Sequence, residues 1–306
     1  MLRKTVSLAS AGALALTLGV AAGAPAQAGT SATAAACSLR LGSVTATGAH
    51  TSRTLNATAP ITVGGVRGTA GVFGPNAVQH TSTFVGTPLL GEESRAGLTV
   101  MGGALYSSTY VVDGQSQIDP KYPHNNLRIG GGWSNFRWIE QSIHRPSDAG
   151  KPSRTTLYAQ ETNGTTTRWI AEGTGWRVTA GVGGLSTIKS LALIGRTYTN
   201  DTFITNTRDG KLITLQWPSK YLSGPTSTVV RDKTWQTFEQ LIATSCGANG
   251  TLLLGIDRDT QSGYLYAVGH AAGRNTVIKS LGKVPMTFSD PQYFRWAPKY
   301  DTLNGG

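Results

Sequence analysis

The chain has 306 residues, a formal net charge of +11, 39 glycines and only 14% charged residues. Its basic residues are scattered singly, which argues against nucleic acid as a partner and favours anionic surfaces such as cell-wall polymers. Helical stretches rich in Ala, Glu, Lys and Leu are absent beyond the N-terminal segment. This composition is typical of an all-β protein with many turns.

The N-terminal segment has the three parts of a secretory signal peptide. Arg3 and Lys4 precede an apolar stretch at 11–24, and a small-residue cleavage site follows at 26–28. An uncleaved membrane anchor is the alternative, but no later stretch reaches the roughly 20 apolar residues of a membrane helix. The sequence therefore predicts an exported, extracellular bacterial protein without a membrane span. The predicted organisation is a signal peptide at 1–28, a flexible segment at 29–36, one domain at 37–300 and a C-terminal tail at 301–306.

Two cysteines, Cys37 and Cys246, stand far apart in the chain. In an oxidising compartment a single pair of cysteines usually forms a disulfide, and two free thiols are the alternative. Closing so long a loop would stabilise the fold by on the order of 5 kcal/mol in the chain-entropy view. The bond would tie the N-terminal end of the domain to a segment near its C-terminal end.

A hairpin recurs along the chain at intervals of roughly 50 residues, which is a typical period of repeat proteins. Each copy has a short apolar strand, a turn that contains glycine and a second strand, as in FITNTRDGKLITLQW at 203–217. Asp-Gly and Asn-Gly favour tight hairpins because both residues tolerate positive φ. The turn glycines of the four copies are Gly114, Gly164, Gly210 and Gly263.

Aromatic residues keep step with these hairpins. Trp133, Trp176 and Trp235 each precede one hairpin, and the triplet Phe-Arg-Trp at 294–296 repeats the one at 136–138. A repeat of about 40–50 residues with about four strands predicts the blades of a β-propeller. Most of these aromatic side chains are then expected to pack between blades.

The last unit, at 286–298, lacks strands that the N-terminal sequence CSLRLGSVTATG can supply. Such pairing would close the ring, remove exposed sheet edges and bring Cys37 toward Cys246. The predicted fold is an all-β, five-bladed β-propeller whose ring is closed by N-terminal strands in the C-terminal blade, with six blades as the alternative. The other four blades are placed at 67–132, 133–175, 176–234 and 235–285.

Two pairs of segments resemble the repeat of tachylectin-2-like β-propeller lectins. They are GGWSNFRWI with TTLYAQ (131–139, 155–160) and TWQTFEQLI with GYLYAV (234–242, 263–268). In that family a Gly-Gly-Trp-x-x-Phe segment leads into a Gly-x-Leu-Tyr-Ala-Val strand. The resemblance implies a five-bladed propeller that binds N-acetylated amino sugars in pockets between blades, without metal or catalysis. It covers approximately residues 100–298, and the Gly-Gly pair stands before Trp133 only.

A sugar site needs polar groups that bond to hydroxyls and an aromatic ring that covers the apolar face of the pyranose. The chain places such residues at the predicted blade ends and hairpin tips, where several weak sites would gain strength by avidity. The alternative for each polar residue is a hydrogen bond within its own turn. The candidate ligand-binding residues are Trp133, Asn135, Asn163, Trp176, Arg208, Asp209, Trp235, Asp257 and Arg258.

Two other functions stay open from the sequence. A protein-interaction propeller, serving as the recognition subunit of a larger secreted assembly such as an antibacterial toxin complex, would suit the loose repeat. A glycoside hydrolase would need carboxylates that converge in the central channel, and the few acidic residues form no recognisable pair. The histidines are scattered, so a metal site is not predicted. The sequence thus predicts a glycan-binding protein that is not an enzyme and needs no cofactor, with amino sugars or cell-wall polysaccharide as ligands.

Overall fold

The computed structural model describes residues 37–146, 153–173, 175–219 and 224–306. The predicted signal peptide at 1–28 and flexible segment at 29–36 lie outside these ranges. Within them every named element is a β-strand, and no helix is long and apolar enough to cross a membrane. The prediction of an all-β protein is confirmed.

The described ranges contain twenty-two strands. In chain order they are β1 (Ser38–Val44), β2 (His50–Asn56), β3 (Thr62–Val63), β4 (Arg67–Thr69), β5 (Val78–Thr81), β6 (Phe84–Pro88), β7 (Glu93–Met101), β8 (Ala104–Val112), β9 (Asn125–Gly131), β10 (Phe136–His144), β11 (Arg154–Glu161), β12 (Thr166–Glu172), β13 (Gly175–Val182), β14 (Ile188–Arg196), β15 (Asn200–Thr207), β16 (Leu212–Pro218), β17 (Thr226–Arg231), β18 (Gln240–Cys246), β19 (Gly250–Asp257), β20 (Ser262–Val268), β21 (Ile278–Lys283) and β22 (Gln292–Pro298).

Three of the sheets are four-stranded and antiparallel, with consecutive strands as neighbours. They are formed by β10 to β13, β14 to β17 and β18 to β21. The remaining strands form a ten-stranded sheet with the order β3-β2-β1-β22-β6-β7-β8-β9, in which β4 pairs with β2 and β5 pairs with β7. The predicted repeat of four-stranded units is therefore present.

The hairpin at 203–217 shows how the sequence determines one of these sheets. β15 and β16 pair Phe203 with Leu215 and Asn206 with Leu212, and Gly210 completes the turn with a φ of 95°. Phe203 and Ile204 belong to different apolar clusters. Because side chains alternate across a strand, both faces of this sheet are covered.

The structure shifts parts of the predicted repeat. Trp176 lies in β13, the fourth strand of its sheet, so it belongs to the end of a unit and does not open the next one. Gly114 lies in the long connection from β8 to β9. The tight turn of that unit is Gly102-Gly103 between β7 and β8, where both glycines have positive φ. The blade boundary predicted at 175/176 is corrected accordingly, because β13 continues the sheet to Val182. The boundary predicted at 132/133 falls between β9 and β10.

The two ends of the described chain meet in the ten-stranded sheet. β1 pairs antiparallel with β22, and Leu41 lies opposite Arg295. Cys37 and Cys246 form a disulfide with a Cα–Cα separation of 5.4 Å. The predicted disulfide and the predicted pairing of the N-terminal strand with the C-terminal unit are both observed.

Five strands approach one another, among them the first strand of each four-stranded sheet. β10 contacts β5 and β14, β18 contacts β14 and β22, and β22 contacts β5. We call β5, β10, β14, β18 and β22 the inner strands. Side chains link them: His80 Nε2 donates to the carbonyl of Phe136 at 2.8 Å, and Ser190 Oγ accepts the amide of Leu241 at 2.8 Å. The contacts run in order from β5 to β10, β14, β18 and β22, and from β22 back to β5.

The residues after β22 lie against the other sheets. Arg196 donates its amide to the carbonyl of Leu303 at 3.2 Å, and Gly305 donates to the carbonyl of Ile194 at 2.9 Å. The Leu303 side chain is buried in the cluster that contains Phe203. The segment predicted as a tail at 301–306 therefore extends the packing along β14.

Candidate ligand-binding cavity

A cavity of about 250 Å³ lies where the inner strands converge. Each inner strand contributes to its wall, because the cavity is lined by residues from β5, β10, β14, β18 and β22. Arg258, which directly follows β19, adds a side chain from a turn. The charged and titratable residues of the wall are His80, Arg137, Glu140, Lys189, Glu239, Arg258, Tyr293 and Arg295.

Lys189 and Glu239 form an ion pair on the wall, between β14 and the residue that precedes β18. Lys189 Nζ lies 2.6 Å from Glu239 Oε1, and both side chains are only partly exposed. Glu239 Oε2 accepts the amide of Arg258 at 2.7 Å. Both carboxylate oxygens of Glu239 are therefore engaged with protein donors.

Glu140 is a second carboxyl group on the same wall. Its Oε1 accepts the amide of Thr83 at 3.0 Å and the amide of Gln141 at 2.7 Å. Burial raises the pKa of the Glu140 carboxyl, and these two amides and the Arg295 guanidinium oppose the rise only in part. The cavity thus holds two carboxyl groups in different electrostatic environments.

Arg137 and Arg258 have no carboxylate within ion-pair distance among the described residues. Arg258 donates to the carbonyl of Pro291 at 2.8 Å and to Gln240 Oε1 at 3.4 Å. Arg137 Nη2 donates to the carbonyl of Thr162, whereas its Nη1 is buried without an acceptor. Loss of hydration on burial lowers the pKa of both guanidinium groups.

His80 lies near both of these arginines. Its Nε2 donates to the carbonyl of Phe136, which directly precedes Arg137. Burial lowers the pKa of His80, the hydrogen bond to Phe136 opposes this, and the charge of Arg258 lowers the pKa further. His80 is therefore a neutral hydrogen-bonding group near neutral pH.

A smaller cavity continues the first along the same strands. Arg295 and Thr83 line both cavities. In the smaller one Asp301 Oδ2 lies 2.9 Å from Arg196 Nη2 and 2.9 Å from Arg295 Nη2. All three of these charged side chains are at least nine-tenths buried. The segment after β22 therefore forms a charged floor beneath the larger cavity.

The structure places the predicted polar site residues on turns. Asn163 accepts the amide of Thr165 at 2.7 Å, Asp209 is bound by Lys211 at 2.8 Å, and Asp257 accepts the amide of Thr260 at 3.1 Å. Most of their polar groups thus bond within their own turn. Asn135 and Arg208 are exposed, and Arg258 is the one predicted residue that lines the larger cavity.

The predicted tryptophans pack mainly between sheets. Trp133 is 8% exposed and lies near Phe136 and Trp169, with ring centroids 4.5 and 5.2 Å away. Trp235 is 6% exposed and contacts Phe238 and Tyr266. Trp176 is half-buried on β13 against the Trp133 cluster. Neither Trp133 nor Trp235 leaves a ring face free for a ligand.

Sequence reasoning missed most of the cavity wall. Arg137 and Arg295 are the central residues of the two Phe-Arg-Trp triplets, which the repeat pattern drew attention to only as packing units. Glu239 follows Phe238 in the corresponding segment of another unit. That shared position after phenylalanine was the available signal, because all three residues line the cavity from an inner strand or from the residue before one. In the described residues no group of three or more His, Cys, Asp or Glu could hold a metal ion.

Comparison with known proteins gives no family assignment. No family model matches the chain, and no curated protein matches it. The resemblance to tachylectin-2-like lectins therefore stays a prediction. Any assignment of function must be argued from the cavity and its wall.

Three similar solved structures include enzymes and a lectin. The α-L-arabinofuranosidase PaAbf62A from Podospora anserina, in complex with cellotriose, is 12% identical with a TM-score of 0.46, over 76% of this chain and 78% of that chain. The Aleuria aurantia lectin in complex with Fucα1-6GlcNAc is 15% identical with a TM-score of 0.42, over 85% and 84%. The periplasmic gluconolactonase PpgL from Pseudomonas aeruginosa is 11% identical with a TM-score of 0.37, over 84% and 99%.

The prediction that the protein is not an enzyme is wrong as it stands. Enzymes are found beside lectins among the similar structures. The acidic residues that form no pair in the sequence also include two, Glu140 and Glu239, that line one cavity. The folded chain brings them together because each lies at an inner strand of a different sheet.

Proposed function

We propose that the chain is a closed, five-bladed β-propeller. Three four-stranded sheets, a fourth unit of β5 to β9, and a fifth made of β22 with β1 and its neighbours would be the blades. The cycle of contacts between inner strands supports this arrangement. Pairing of β1 with β22 and the disulfide from Cys37 to Cys246 would hold the closing unit together.

The function that this geometry supports best is carbohydrate binding in the larger cavity. The observation that carries it is the wall itself, where Lys189, Gln240 and Arg258 supply donors and Glu239 supplies acceptors around one small space. A pyranose carries several hydroxyl groups that both donate and accept, so it suits such a wall. Small-molecule sites are usually concave, with a few placed polar groups that fix the ligand.

The cavity is large enough to hold one sugar residue. At about 250 Å³ it lies just below the range of roughly 300–1,000 Å³ typical of drug-sized ligands. Longer glycans would extend outward over the turns. The exposed members of the predicted set, Asn135, Asn163, Arg208 and Asp209, are proposed as outer contacts there.

Within this proposal the chain acts outside the cell on surface glycans or cell-wall polysaccharide, with N-acetylated amino sugars among its ligands. The disulfide supports an oxidising compartment, and the net charge of +11 supports attraction to anionic polymers. Binding to a protein partner in a secreted assembly would use faces of the molecule outside the cavity.

A glycan array followed by calorimetric titration tests this function. We expect binding that free monosaccharide competes away, and we expect Lys189→Gln to weaken it. The matched control is Lys279→Gln, which changes a lysine on β21 outside the cavity. If no glycan or cell-wall polysaccharide binds the folded protein, carbohydrate binding is refuted.

Glycoside hydrolysis is a second candidate function, favoured by the two carboxyl groups of the cavity. Environments that separate the pKa values of two carboxyl groups suit one as a general acid and the other as an ionised base or nucleophile. Glu140, with its raised pKa, would be the acid, and Glu239, which is paired with Lys189, would be the base or nucleophile. Binding ranks first because both oxygens of Glu239 are already engaged with Lys189 and Arg258.

Hydrolysis can be measured with a panel of aryl glycosides that includes furanosides and uronides. If the cavity is catalytic, Glu140→Gln and Glu239→Gln should each lower the rate at least ~100-fold, the size typical of general acid–base catalysis. The exposed Glu172→Gln is the control. Release of sugar that persists in both cavity variants would rule out these residues as the acid and base.

A further inference from the structure

The charges on the cavity wall do not balance. Four cationic side chains, Arg137, Lys189, Arg258 and Arg295, line the larger cavity with two carboxyl groups, Glu140 and Glu239. Two of the cations already have partners: Lys189 is paired with Glu239, and Arg295 with Asp301 in the floor. Arg137 and Arg258 remain without a carboxylate among the described residues.

Removing a charge from water is unfavourable unless the charge gains a partner. Both side chains are partly buried, and Nη1 of Arg137 is fully buried. The loss of hydration lowers the pKa of both guanidinium groups. Their present acceptors are neutral groups: the carbonyls of Thr162 and Pro291 and the amide of Gln240. An anion bound between them would supply the missing charge.

Unsatisfied donors gather on this wall. Arg137 Nη1 and the adjacent Trp138 Nε1 are both buried without an acceptor, and so is Arg295 Nη1. All three are N–H donors of residues that line the larger cavity. Among the described residues, the wall therefore has an excess of donors as well as of positive charge, and an acceptor-rich anionic group would satisfy both.

Arg137 and Arg258 both line the cavity near His80. Arg137 is the second residue of β10, and Arg258 follows the last residue of β19. His80 connects them, since it donates to the residue before Arg137 and its pKa responds to the charge of Arg258. Hydrogen bonds to Pro291 O and Gln240 Oε1 hold the Arg258 guanidinium in place. The pair is thus partly preorganised.

We propose that the cavity binds a monosaccharide residue that carries a carboxylate, with Arg137 and Arg258 as its charged partners. This inference rests on the proposed carbohydrate function and adds the class of sugar. Guanidinium groups match a carboxylate because their planar N–H donors can bind it bidentately. The ring hydroxyls of the sugar would face Lys189, Glu239 and Gln240 on the remaining wall.

Titration calorimetry with matched sugars tests the proposal. The carboxylated probes are glucuronate, galacturonate and N-acetylneuraminate; the others are glucose, N-acetylglucosamine, glucose 6-phosphate and inorganic phosphate. We expect at least one carboxylated sugar to bind ~10-fold or more tightly than every neutral sugar, the effect of one charged hydrogen bond. Arg137→Gln and Arg258→Gln should each remove most of this preference. Arg274→Gln, whose arginine pairs with Asp232 on the surface, should keep it.

The possible results distinguish a failure of the carboxylate preference from a failure of carbohydrate binding itself. Neutral sugars that bind as tightly as every carboxylated one would overturn the inference and leave carbohydrate binding intact. No binding of any sugar would overturn both. Tighter binding of phosphate or glucose 6-phosphate than of any carboxylated sugar would replace the carboxylate with a phosphate group. Should Arg258→Gln fail to fold, as judged by thermal melting, Arg137→Gln decides alone.

Discussion

The hairpin turns and the larger cavity both contain polar residues, but these residues find their hydrogen-bond partners in different ways. In the turns Asn163 and Asp257 accept amides from residues two and three positions away. In the cavity Glu140 bonds to Thr83 on another unit, and Arg137 keeps one nitrogen without an acceptor. Polar residues of a turn therefore report on local folding, whereas those of the cavity report on long-range assembly and on donors left without an acceptor.

This difference explains why a search for polar turns does not find the cavity. Asn, Asp and Gly recur at turns because they stabilise turns. A ligand site shows itself instead where burial and incomplete pairing coincide. Arg258 belongs both to a turn and to the cavity, since it lies at the start of a turn and its side chain lines the cavity wall.

The largest difference in stability is expected between a variant that lacks a buried carboxylate and one that lacks an exposed carboxylate. Asp301→Ala leaves Arg196 and Arg295 buried without their carboxylate, so we expect a loss of ~3–5 kcal/mol in the free energy of unfolding. Asp232→Ala breaks an exposed pair with Arg274 and should leave stability almost unchanged. Denaturant titration of both variants measures this. Equal stability of the two variants would contradict the buried floor.

The next largest effect is expected on ligand affinity at Arg137. Arg137→Met removes a guanidinium that has lost water without gaining a carboxylate, so the thermal midpoint of the empty protein should stay the same or rise. The same change should weaken binding of the preferred sugar ~10-fold or more. An arginine with a purely structural role would give the opposite pattern, a lower midpoint with unchanged affinity.

The local parts of this fold could be predicted from the sequence. The Asp-Gly turn at 209–210 indicates its own hairpin because the turn is determined by neighbouring residues. The disulfide could be predicted from the expected oxidising compartment and from the number of cysteines, since two cysteines allow only one pair. The prediction that Trp176 opens a unit was wrong, because the sequence pattern of a tryptophan before a hairpin does not show whether the tryptophan ends one sheet or begins the next.

The cavity could not be predicted in the same way. Glu140 and Glu239 belong to different sheets, and nothing in their spacing indicates that β10 and β18 face one space. Their approach depends on how the sheets pack around the inner strands, which is a property of the whole chain. The recurrence of Phe-Arg-Trp at 136–138 and 294–296 was a usable sign, but packing accounted for it equally well.

The contributions of a cavity carboxyl group and a turn carboxyl group to stability should also change with pH in opposite directions. The Glu140 pKa is raised by burial, so its favourable contribution to stability is present below the unfolded value of about 4.3 and is lost as pH rises through the folded pKa. The Asp209 pKa is lowered, first by Lys211 and then by Thr207, so its contribution is present above the unfolded value and is lost as pH falls through the folded pKa.

Thermal midpoints measured from pH 3 to pH 8 for Glu140→Gln and Asp209→Asn test these signs. Gln keeps an acceptor for the amides of Thr83 and Gln141. Relative to the parent protein, Glu140→Gln should therefore gain stability as pH rises. Asp209→Asn should show a smaller loss at neutral pH that fades in acid. A Glu140→Gln curve parallel to that of the parent would contradict the raised pKa.

The smallest effect is expected at the turn of Asn163. Asn163→Ala removes the acceptor for the amide of Thr165, and the loss of one such hydrogen bond should lower the free energy of unfolding by about 0.5–1.5 kcal/mol. The turn adjoins the cavity through Thr162, whose carbonyl accepts from Arg137. Asn163→Ala should therefore leave the affinity for a monosaccharide unchanged and weaken binding of an oligosaccharide at most a few-fold. A monosaccharide affinity that falls as far in Asn163→Ala as in Arg137→Gln would move the primary site from the cavity to the turns.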